Sequence, residues 1–180
     1  MSLPVTPPVD PMLARLRATI PRGDDWVYEP KWDGFRAIGF IDSGDVHIAS
    51  RDHKPLQRYF PELPGALAGA FPERCVVDGE VIVTGEAGLD FDALLQRIHP
   101  ARSRIEKLAA ETPAAFVAFD LLALHDEDLR DTPLAARRKF LEDLLGSSQE
   151  PALPVRRTEV LLTPQTRDAD RALAWMSEYE

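Results

Sequence analysis

Two β-type runs separated by a short polar turn constrain the fold of this chain more than any other feature. The runs occupy residues 36–41 and 46–51, and the turn Asp-Ser-Gly-Asp at 42–45 joins them. This pattern predicts a β-hairpin, whose two strands are antiparallel. An antiparallel pair argues against a doubly wound sheet, in which parallel strands alternate strictly with helices.

The other periodic segments mix strands and helices without a regular order, which predicts an α+β fold with antiparallel sheets flanked by helices. Helical spacing of apolar residues, with capping residues such as Asp90, predicts the helices. A capping box at Ser103 and Glu106 predicts the start of one more helix. The predicted strands are 26–29, 75–83, 116–124 and 155–163, and the predicted helices are 12–17, 62–71, 91–98, 133–145 and 168–180.

Two details of these helices concern their exposed and buried faces. The stretch Arg137-Arg138-Lys139 is interpreted as a solvated helix face rather than a DNA-binding patch. The apolar stripe of the last predicted helix, which is expected to be buried, consists of Ala169, Ala172, Leu173, Met176 and Tyr179.

The domain organisation follows from proline content and length. Residues 1–24 contain five prolines and predict an extended arm with one short helical stretch. The remainder, residues 25–180, is expected to form a single domain, since 180 residues suit one domain.

Composition excludes several classes of protein. A formal net charge of −9 argues against a generic nucleic-acid-binding chain. One cysteine excludes a disulfide framework and a cysteine-cluster zinc site. No apolar run approaches the roughly 20 residues of a membrane span, and the N-terminus has no basic region followed by an apolar core. We therefore expect a protein of the reducing cytoplasm, without a membrane partner.

The densest polar cluster is Glu-Pro-Lys-Trp-Asp-Gly-Phe-Arg at residues 29–36. In extended backbone, side chains alternate, so Glu29, Lys31 and Asp33 share one face. Gly34 permits a turn with positive φ and a close backbone approach. A lysine nucleophile must lose a proton, which nearby cations, burial or a bound metal favour. From spacing alone, a charged surface turn is the simpler interpretation, since short charged patterns recur by chance.

Four segments in order resemble the covalent nucleotidyltransferases, which comprise ATP-dependent DNA ligases, RNA ligases and messenger-RNA capping enzymes. Residues 31–36 match the pattern K-x-D-G-x-R, 50–53 resemble S-R-N-G, 77–80 resemble D-G-E and 119–122 resemble F-D-L-L. Residues 133–138 contain the ligase-like P-L-x-x-R-R. With the flanking sequence, the chain is most similar to the ligase C type of bacterial ATP-dependent DNA ligases. The resemblance implies a nucleotidyltransferase, ATP-grasp-like adenylation domain.

The resemblance also implies the chemistry of three residues. Lys31 would attack the α-phosphate of ATP and become lysyl-AMP, and the AMP would pass to the 5′-phosphate of a DNA nick that is then sealed. Glu29 would contact the adenine amino group. Phe119 would stack on the purine, although a phenylalanine in an apolar run is more often part of a core.

Three further residues are implied to hold the rest of the nucleotide. Arg36 and Arg51 would hold the ribose or the 5′-phosphate of the nick, although Arg51 alone is also explained as a cation on a solvated face. Glu80 would contact the ribose or a water bound to Mg²⁺, and is the candidate metal residue. A carboxylate between β-branched residues is costly unless it has partners.

The same resemblance implies the cofactors and partners. The cofactors would be ATP and Mg²⁺ or Mn²⁺, and the substrate would be nicked double-stranded DNA in DNA repair, recombination or replication. Repair polymerases or end-binding proteins are the expected protein partners, and the chain is expected to be a monomer.

The resemblance is incomplete in two places. Asp52 and His53 replace the usual Asn-Gly, while Arg51 is retained. The last predicted helix has no C-terminal cap and ends in carboxylates, which the helix dipole disfavours, and the family's later Glu-Gly and K-x-K motifs and its oligonucleotide-binding-fold domain are absent. We therefore expect a C-terminally truncated adenylation domain whose activity alone is in doubt. The alternatives are a non-catalytic nucleotide- or DNA-binding fragment, or an RNA ligase or capping-type nucleotidyltransferase.

Overall fold

The computed structural model describes residues 2–147, 154–155 and 157–178. Within these ranges, none of the helices is both long and apolar enough to cross a membrane. The strands are β1 Phe35–Asp42, β2 Asp45–Ser50, β3 Arg74–Ile82, β4 Thr84–Gly85, β5 Gly88–Leu89, β6 Ala115–Leu124, β7 Glu127–Asp128 and β8 Val160–Leu162. The helices are α1 Leu63–Ala70, α2 Phe91–Gln96, α3 Arg102–Glu111, α4 Leu134–Leu145 and α5 Ala169–Glu178.

Six of these strands form one mixed sheet. Its order is β2-β1-β3-β6-β7, and β8 also pairs with β6. All neighbouring strands are antiparallel except β6 and β8, which are parallel. The predicted hairpin is therefore confirmed as β1 and β2, and the predicted α+β fold is confirmed.

The two faces of the sheet pack differently because side chains alternate along each strand. Ala37 and Ile41 of β1 belong to the larger apolar cluster, whereas Ile38 and Phe40 belong to a second one. The larger cluster is completed by helical side chains, namely Leu63 and Leu67 of α1, Leu94 of α2 and Leu141 of α4.

The opposite face carries two smaller apolar clusters with polar side chains between them. One contains Leu3 and Val5 from the N-terminal segment, packed on β1 and β3. The other contains Trp32, Val117 and Trp175, which join the loop before β1, β6 and α5. The first residues of the proline-rich segment thus lie against the sheet, and the domain boundary after residue 24 stays a prediction.

Several local predictions are confirmed. The Asp90 side chain accepts a hydrogen bond from the Ala93 backbone N–H at 2.8 Å, so it caps α2. Helix α4 begins after Pro133 and ends at Gly146, whose φ of +84° is the left-handed conformation that glycine permits.

Other local predictions are wrong. Residues 12–17 form no helix, because an isolated short helix without packing is marginal in water. Residues 26–29 form no strand and contribute one bridge, between Tyr28 and Thr166. The capping box is not formed, since α3 starts after Ala101 without a side-chain cap.

The buried face of the last helix matches the prediction only in part. In α5, Ala172 is buried as predicted, but Leu173 and Met176 are 44% and 55% exposed, and Trp175, which was not predicted, is buried instead. The predicted end of this helix at residues 179–180 lies outside the described residues. The strand predicted at 155–163 is shorter in the structure, at Val160–Leu162.

Candidate functional site

The polar side chains between the two smaller clusters line a cavity of about 550 Å³. All of the residues that the sequence singled out for this site contribute to its wall, namely Glu29, Lys31, Arg36, Arg51, Glu80 and Phe119. Leu13 and Ala14 of the N-terminal segment also line the cavity. Sequence reasoning missed this contribution, because two apolar residues in an irregular segment carry no chemical signal of their own.

Lys31 reaches the cavity because its neighbours anchor the loop before β1. Pro30 and Trp32 are buried, and Lys31 between them is exposed, as the predicted alternation requires. The Trp32 indole Nε1–H donates a hydrogen bond to the Thr163 hydroxyl at 2.9 Å. The buried indole therefore fixes the backbone that presents the lysine.

Glycine is required where this loop crosses β3. A Cβ atom on Gly34 would lie 2.3 Å from the Val81 carbonyl oxygen and 2.8 Å from the Glu80 Cγ atom. A Cβ atom on Gly79 would lie 2.4 Å from the Val117 carbonyl oxygen. The positive φ predicted for Gly34 is not observed, so its role is close approach rather than an unusual backbone angle.

A buried ion pair fixes Arg36 at the floor of the cavity. The Arg36 guanidinium donates two hydrogen bonds of 2.6 Å to the Asp78 carboxylate. The Asp78 side chain is 5% exposed. Burial raises the pKa of Asp78, and the bonds from Arg36 act against that shift. Asp78 was not predicted as a site residue, although it precedes the Gly-Glu of the matched D-G-E segment.

A β-bulge turns Phe119 toward the cavity. Ala118 pairs with Gly79 and Asp120 pairs with Asp78, so Phe119 is the extra residue of β6. Bulges re-aim side chains in this way and are frequent next to active sites. The Arg36 guanidinium carbon lies 4.5 Å from the centre of the Phe119 ring. Phe119 is therefore part of the cavity wall and is only half-buried.

Helix α4 supports the site from behind with two arginines. Arg137 makes a two-point ion pair with Asp120 at 2.7 and 2.8 Å, and Arg138 lies 3.8 Å from Glu29. Their side chains are 11% and 5% exposed. The predicted solvated face is therefore wrong for these two residues, and it holds for Lys139, which is exposed.

Glu29 and Glu80 are two of the three carboxylates in the cavity wall, and Asp33 is the third. Burial raises the pKa of Glu80 to about 7, although Arg36 and Lys31 lower it and the Gly34 backbone N–H bonds to it. Burial also raises the pKa of Glu29, against a hydrogen bond from Gln165 at 2.7 Å and the charge of Arg138.

Two cations at the cavity remain available to an anion. Within the described part of the chain, the side chains of Lys31 and Arg51 make no hydrogen bond or ion pair. Exposed cations without carboxylate partners are suited to phosphate oxygens, which Arg binds in a bidentate manner. The cavity thus combines two cations that are suited to phosphate oxygens with the half-buried ring of Phe119.

The protein ligands alone do not complete a metal site. No group of three or more His, Cys, Asp or Glu side chains suited to a metal occurs among the described residues. Mg²⁺, however, is commonly held by one or two carboxylates together with substrate phosphates and water. Glu80, which lines the same cavity as Lys31 and Arg51, fits that second arrangement.

Comparison with known proteins shows which proteins this chain is similar to. The family model of the ATP dependent DNA ligase domain matches residues 11–180. DNA ligase C of Mycobacterium tuberculosis is 50% identical, over 100% of this chain and 49% of the relative. DNA ligase C2 of Mycolicibacterium smegmatis is 48% identical, over 100% of this chain and 48% of the relative. The chain therefore spans about half the length of the curated relatives it matches.

A solved structure shows the same arrangement of strands and helices. A mycobacterial DNA ligase D complexed with ATP and MES superposes with a TM-score of 0.64 at 26% sequence identity. The superposition covers 94% of this chain and 50% of that protein.

Proposed function

This chain belongs to the ATP-dependent DNA ligase domain family, and from that premise we propose that it performs the adenylation step of DNA ligation at Lys31. The observation that carries the proposal is the cavity of about 550 Å³, in which the exposed Lys31 lies beside Arg51 and the ring of Phe119. Because the Lys31 side chain makes no hydrogen bond or ion pair with the described residues, its amino group can approach a phosphorus atom. This arrangement supports nucleotide transfer more directly than a charged surface turn would.

The proposed chemistry begins with Lys31 and ATP. The Nζ atom forms a bond to the α-phosphorus, the bond from that phosphorus to the bridging oxygen breaks, and pyrophosphate leaves. The lysine loses a proton, and AMP remains on the protein as lysyl-AMP. The AMP would then pass to the 5′-phosphate of a DNA nick, and attack by the neighbouring 3′-hydroxyl would seal the strand and release AMP.

The other cavity residues would position the nucleotide. Glu29 would accept a hydrogen bond from the adenine amino group, and the purine would stack on the face of Phe119 that Arg36 leaves open. Arg51 would hold phosphate oxygens, and Arg36 would hold the ribose or the 5′-phosphate of the nick. Phosphoryl transfer depends mainly on such positioning and on charge neutralisation, which is why a cavity rich in fixed cations supports the proposal.

Glu80 is the proposed metal residue. Mg²⁺ or Mn²⁺, when bound, would neutralise charge on the phosphates. The carboxylate of Glu80 would contribute one oxygen or hold a metal-bound water, and it would also contact the ribose. Its raised pKa means that binding of a cation is coupled to loss of a proton from this group.

The partners and setting are part of the same proposal. The nucleic-acid substrate would be nicked double-stranded DNA, with repair polymerases or end-binding proteins as further partners. We place the chain in the cytoplasm as a monomer. Residues 25–180 would be the adenylation domain, and residues 1–24 an arm whose Leu13 and Ala14 close one side of the nucleotide cavity.

Covalent labelling tests the proposal. The 180-residue chain is incubated with α-³²P-labelled ATP and Mg²⁺, beside Lys31→Ala and beside Lys54→Ala, a matched control at an exposed lysine outside the cavity. We expect an acid-labile label on the protein and on Lys54→Ala, and none on Lys31→Ala. A label that persists in Lys31→Ala would contradict the assignment of the nucleophile.

A second candidate function is non-catalytic binding of nucleotide or DNA. Its basis is the cavity itself, whose cations and aromatic ring could hold a nucleotide without transferring it. Retention of ATP binding without any covalent label would support this candidate. Labelling by GTP in preference to ATP would instead indicate a capping-type nucleotidyltransferase.

A further inference from the structure

Arg138 is a buried cation that the proposed chemistry does not use. It lies on α4, behind the cavity, and its side chain is 5% exposed. Its Nε atom donates to the Glu142 carboxylate at 3.0 Å, and its NH2 group donates to the Thr163 carbonyl oxygen at 2.8 Å. Burying a guanidinium this completely is unfavourable unless each nitrogen has an acceptor.

The third nitrogen of Arg138 has no acceptor in the described part of the chain. This NH1 group is buried and makes no hydrogen bond, and it lies 3.8 Å from the Glu29 Oε1 atom. Arg74 and Arg97 also have one buried nitrogen without an acceptor. Of these three arginines, Arg138 alone has an ion-pair partner in the wall of the nucleotide cavity, and that partner is Glu29.

Arg138 is also tied to the backbone that carries the other cavity residues. Thr163, which accepts from Arg138, receives the hydrogen bond of the Trp32 indole at 2.9 Å. The Thr163 backbone N–H bonds to the Ala118 carbonyl at 2.9 Å. Ala118 immediately precedes Phe119, and Trp32 immediately follows Lys31. The position of Arg138 relative to Glu29 is therefore fixed by the same network that fixes the lysine and the ring.

We propose that Arg138 is a positioning residue for purine selection: its NH1 group holds the Glu29 carboxylate so that the site accepts adenine and rejects guanine. This inference rests on the proposed function, in which Glu29 faces the purine. It assigns the preference between nucleotides to a helix residue outside the cavity wall.

The chemistry of the two purines explains the selection. At carbon 6, adenine has an amino group, which donates to a carboxylate, whereas guanine has a carbonyl oxygen, which an ionised carboxylate repels. Without Arg138, Glu29 would keep the hydrogen bond from Gln165 at 2.7 Å but lose the nearby positive charge. Burial, which raises the pKa of Glu29, would then shift the half-buried carboxylate toward its protonated form or toward solvent. A protonated carboxyl donates a hydrogen bond and accepts guanine. Loss of Arg138 should therefore weaken ATP binding and relieve the rejection of GTP.

Equilibrium binding measures this preference without requiring catalysis. Isothermal titration calorimetry of the 180-residue chain gives dissociation constants for ATP and for GTP. The selectivity is the dissociation constant for GTP divided by the dissociation constant for ATP. We expect Arg138→Met to lower the ratio by about tenfold, the scale of one hydrogen bond to a charged group. Glu142→Gln removes the other carboxylate partner of Arg138 but leaves Glu29 untouched, and we expect it to keep the wild-type ratio.

A double-substitution cycle separates positioning from a general structural role. In a Glu29→Gln background, Arg138→Lys should leave the selectivity unchanged, because the group through which Arg138 acts is gone. In the wild-type background the same Arg138→Lys should lower selectivity, since one ammonium nitrogen replaces two separate guanidinium nitrogens, of which NH2 donates to Thr163 and NH1 faces Glu29. These two measurements of Arg138→Lys distinguish positioning from a structural role even if circular dichroism shows that Arg138→Met is unfolded.

The outcomes for this inference and for the proposed function are distinct. A wild-type chain that prefers ATP, with a folded Arg138→Met that keeps the same preference, overturns the role of Arg138 alone. A further loss of selectivity in the double variant also overturns it, because Arg138 would then act through another group. A wild-type chain that shows no preference for ATP contradicts the proposed function, and the role of Arg138 fails with it.

Discussion

Two buried arginine–carboxylate pairs on opposite sides of the sheet have the same chemistry and different surroundings. Arg97 has a fully buried side chain and bonds Glu62 at 2.7 and 2.8 Å. Arg36 bonds Asp78 at 2.6 Å twice, but its side chain is 25% exposed at the cavity. The difference between these pairs is in what else each guanidinium contacts.

The Arg97 pair is closed by the protein on every side. Its guanidinium also donates to the backbone carbonyls of Tyr59 and Thr112 at 3.0 and 3.3 Å and lies 4.8 Å from the centre of the Phe60 ring. Glu62 accepts from the Ala114 N–H at 3.2 Å. The pair thus ties α1, α2 and the start of β6 together.

The Arg36 pair is left open toward the cavity. Both of its hydrogen bonds in the described chain go to Asp78 through Nε and NH2, so the NH1 group has no protein acceptor there. The Arg36 guanidinium also lies over the Phe119 ring, 4.5 Å from its centre. Arg36 is therefore the better candidate for binding a ligand, because it has an unused donor at an accessible surface. Burial of the ion pair does not distinguish it from Arg97.

Breaking the closed pair should have the largest effect on stability. Arg97→Met leaves the Glu62 carboxylate buried without its partner, and we expect the free energy of unfolding to fall by about 3–5 kcal/mol. Urea denaturation followed by circular dichroism measures the change. ATP affinity, measured where the variant is folded, should stay close to that of the wild type. If that affinity falls instead, the closed pair also serves the site.

Breaking the open pair should affect binding more than stability. Arg36→Met leaves Asp78 without two hydrogen bonds, and we expect a loss of about 1–3 kcal/mol in the free energy of unfolding. ATP should bind at least about tenfold more weakly, because a charge-assisted contact is removed. Calorimetric titration with ATP measures the affinity. The matched control is Arg102→Met on α3, where the Arg102 side chain is 91% exposed and pairs with Glu106. This substitution should change neither the free energy of unfolding nor the ATP affinity appreciably.

This pair of variants can contradict the comparison in one clear way. If Arg36→Met lost as much stability as Arg97→Met while retaining ATP affinity, the accessible donor of Arg36 would have no ligand-binding role. The open pair would then be a second structural tie that happens to border a cavity.

The sequence predicted the cavity residues better than it predicted their supports. Glu29, Lys31 and Arg36 lie in one short segment, and strand alternation together with motif resemblance was enough to place them with Glu80. Asp78 and Arg138 were missed, because nothing in a local pattern shows that a side chain will meet another one far away in the chain. The bulge that turns Phe119 outward depends on the pairing of β6 with β3, which a single strand does not encode.

The misplaced helix faces have the same physical origin. In α5, Ala172 is one turn before both Trp175 and Met176, so periodicity alone cannot show on which side of Ala172 the buried face extends. Packing of Trp175 with Trp32 and Val117 decides in favour of Trp175. In α4, three consecutive cations point in different directions, so two of them are buried against carboxylates and one is solvated.

Ionisation of Glu80 should make the stability of the chain depend on pH, with a smaller effect than that of either arginine substitution. Burial raises its pKa from about 4.5 to about 7, so the folded chain binds more protons than the unfolded chain between these values. Stability should therefore fall as pH rises from about 5 to 8. Glu80→Gln should make this decline shallower, without abolishing it, because burial also raises the pKa values of Asp78 and Glu29.

At pH 8 we expect Glu80→Gln to be more stable than the wild type by roughly 2 kcal/mol, since it lacks a partly buried negative charge. Urea midpoints at pH 5 and pH 8 measure how steeply stability declines with pH in the wild type and in Glu80→Gln. Glu106→Gln, on the exposed face of α3, is the control carboxylate. Equal slopes in the wild type and Glu80→Gln would show that Glu80 ionises as easily as a surface glutamate. A steeper loss of stability with rising pH in the wild type would show that the ionised Glu80 destabilises the folded chain. Such a cost is expected where a site is arranged for a charged ligand, whereas the Arg97 pair neutralises the charge of Glu62.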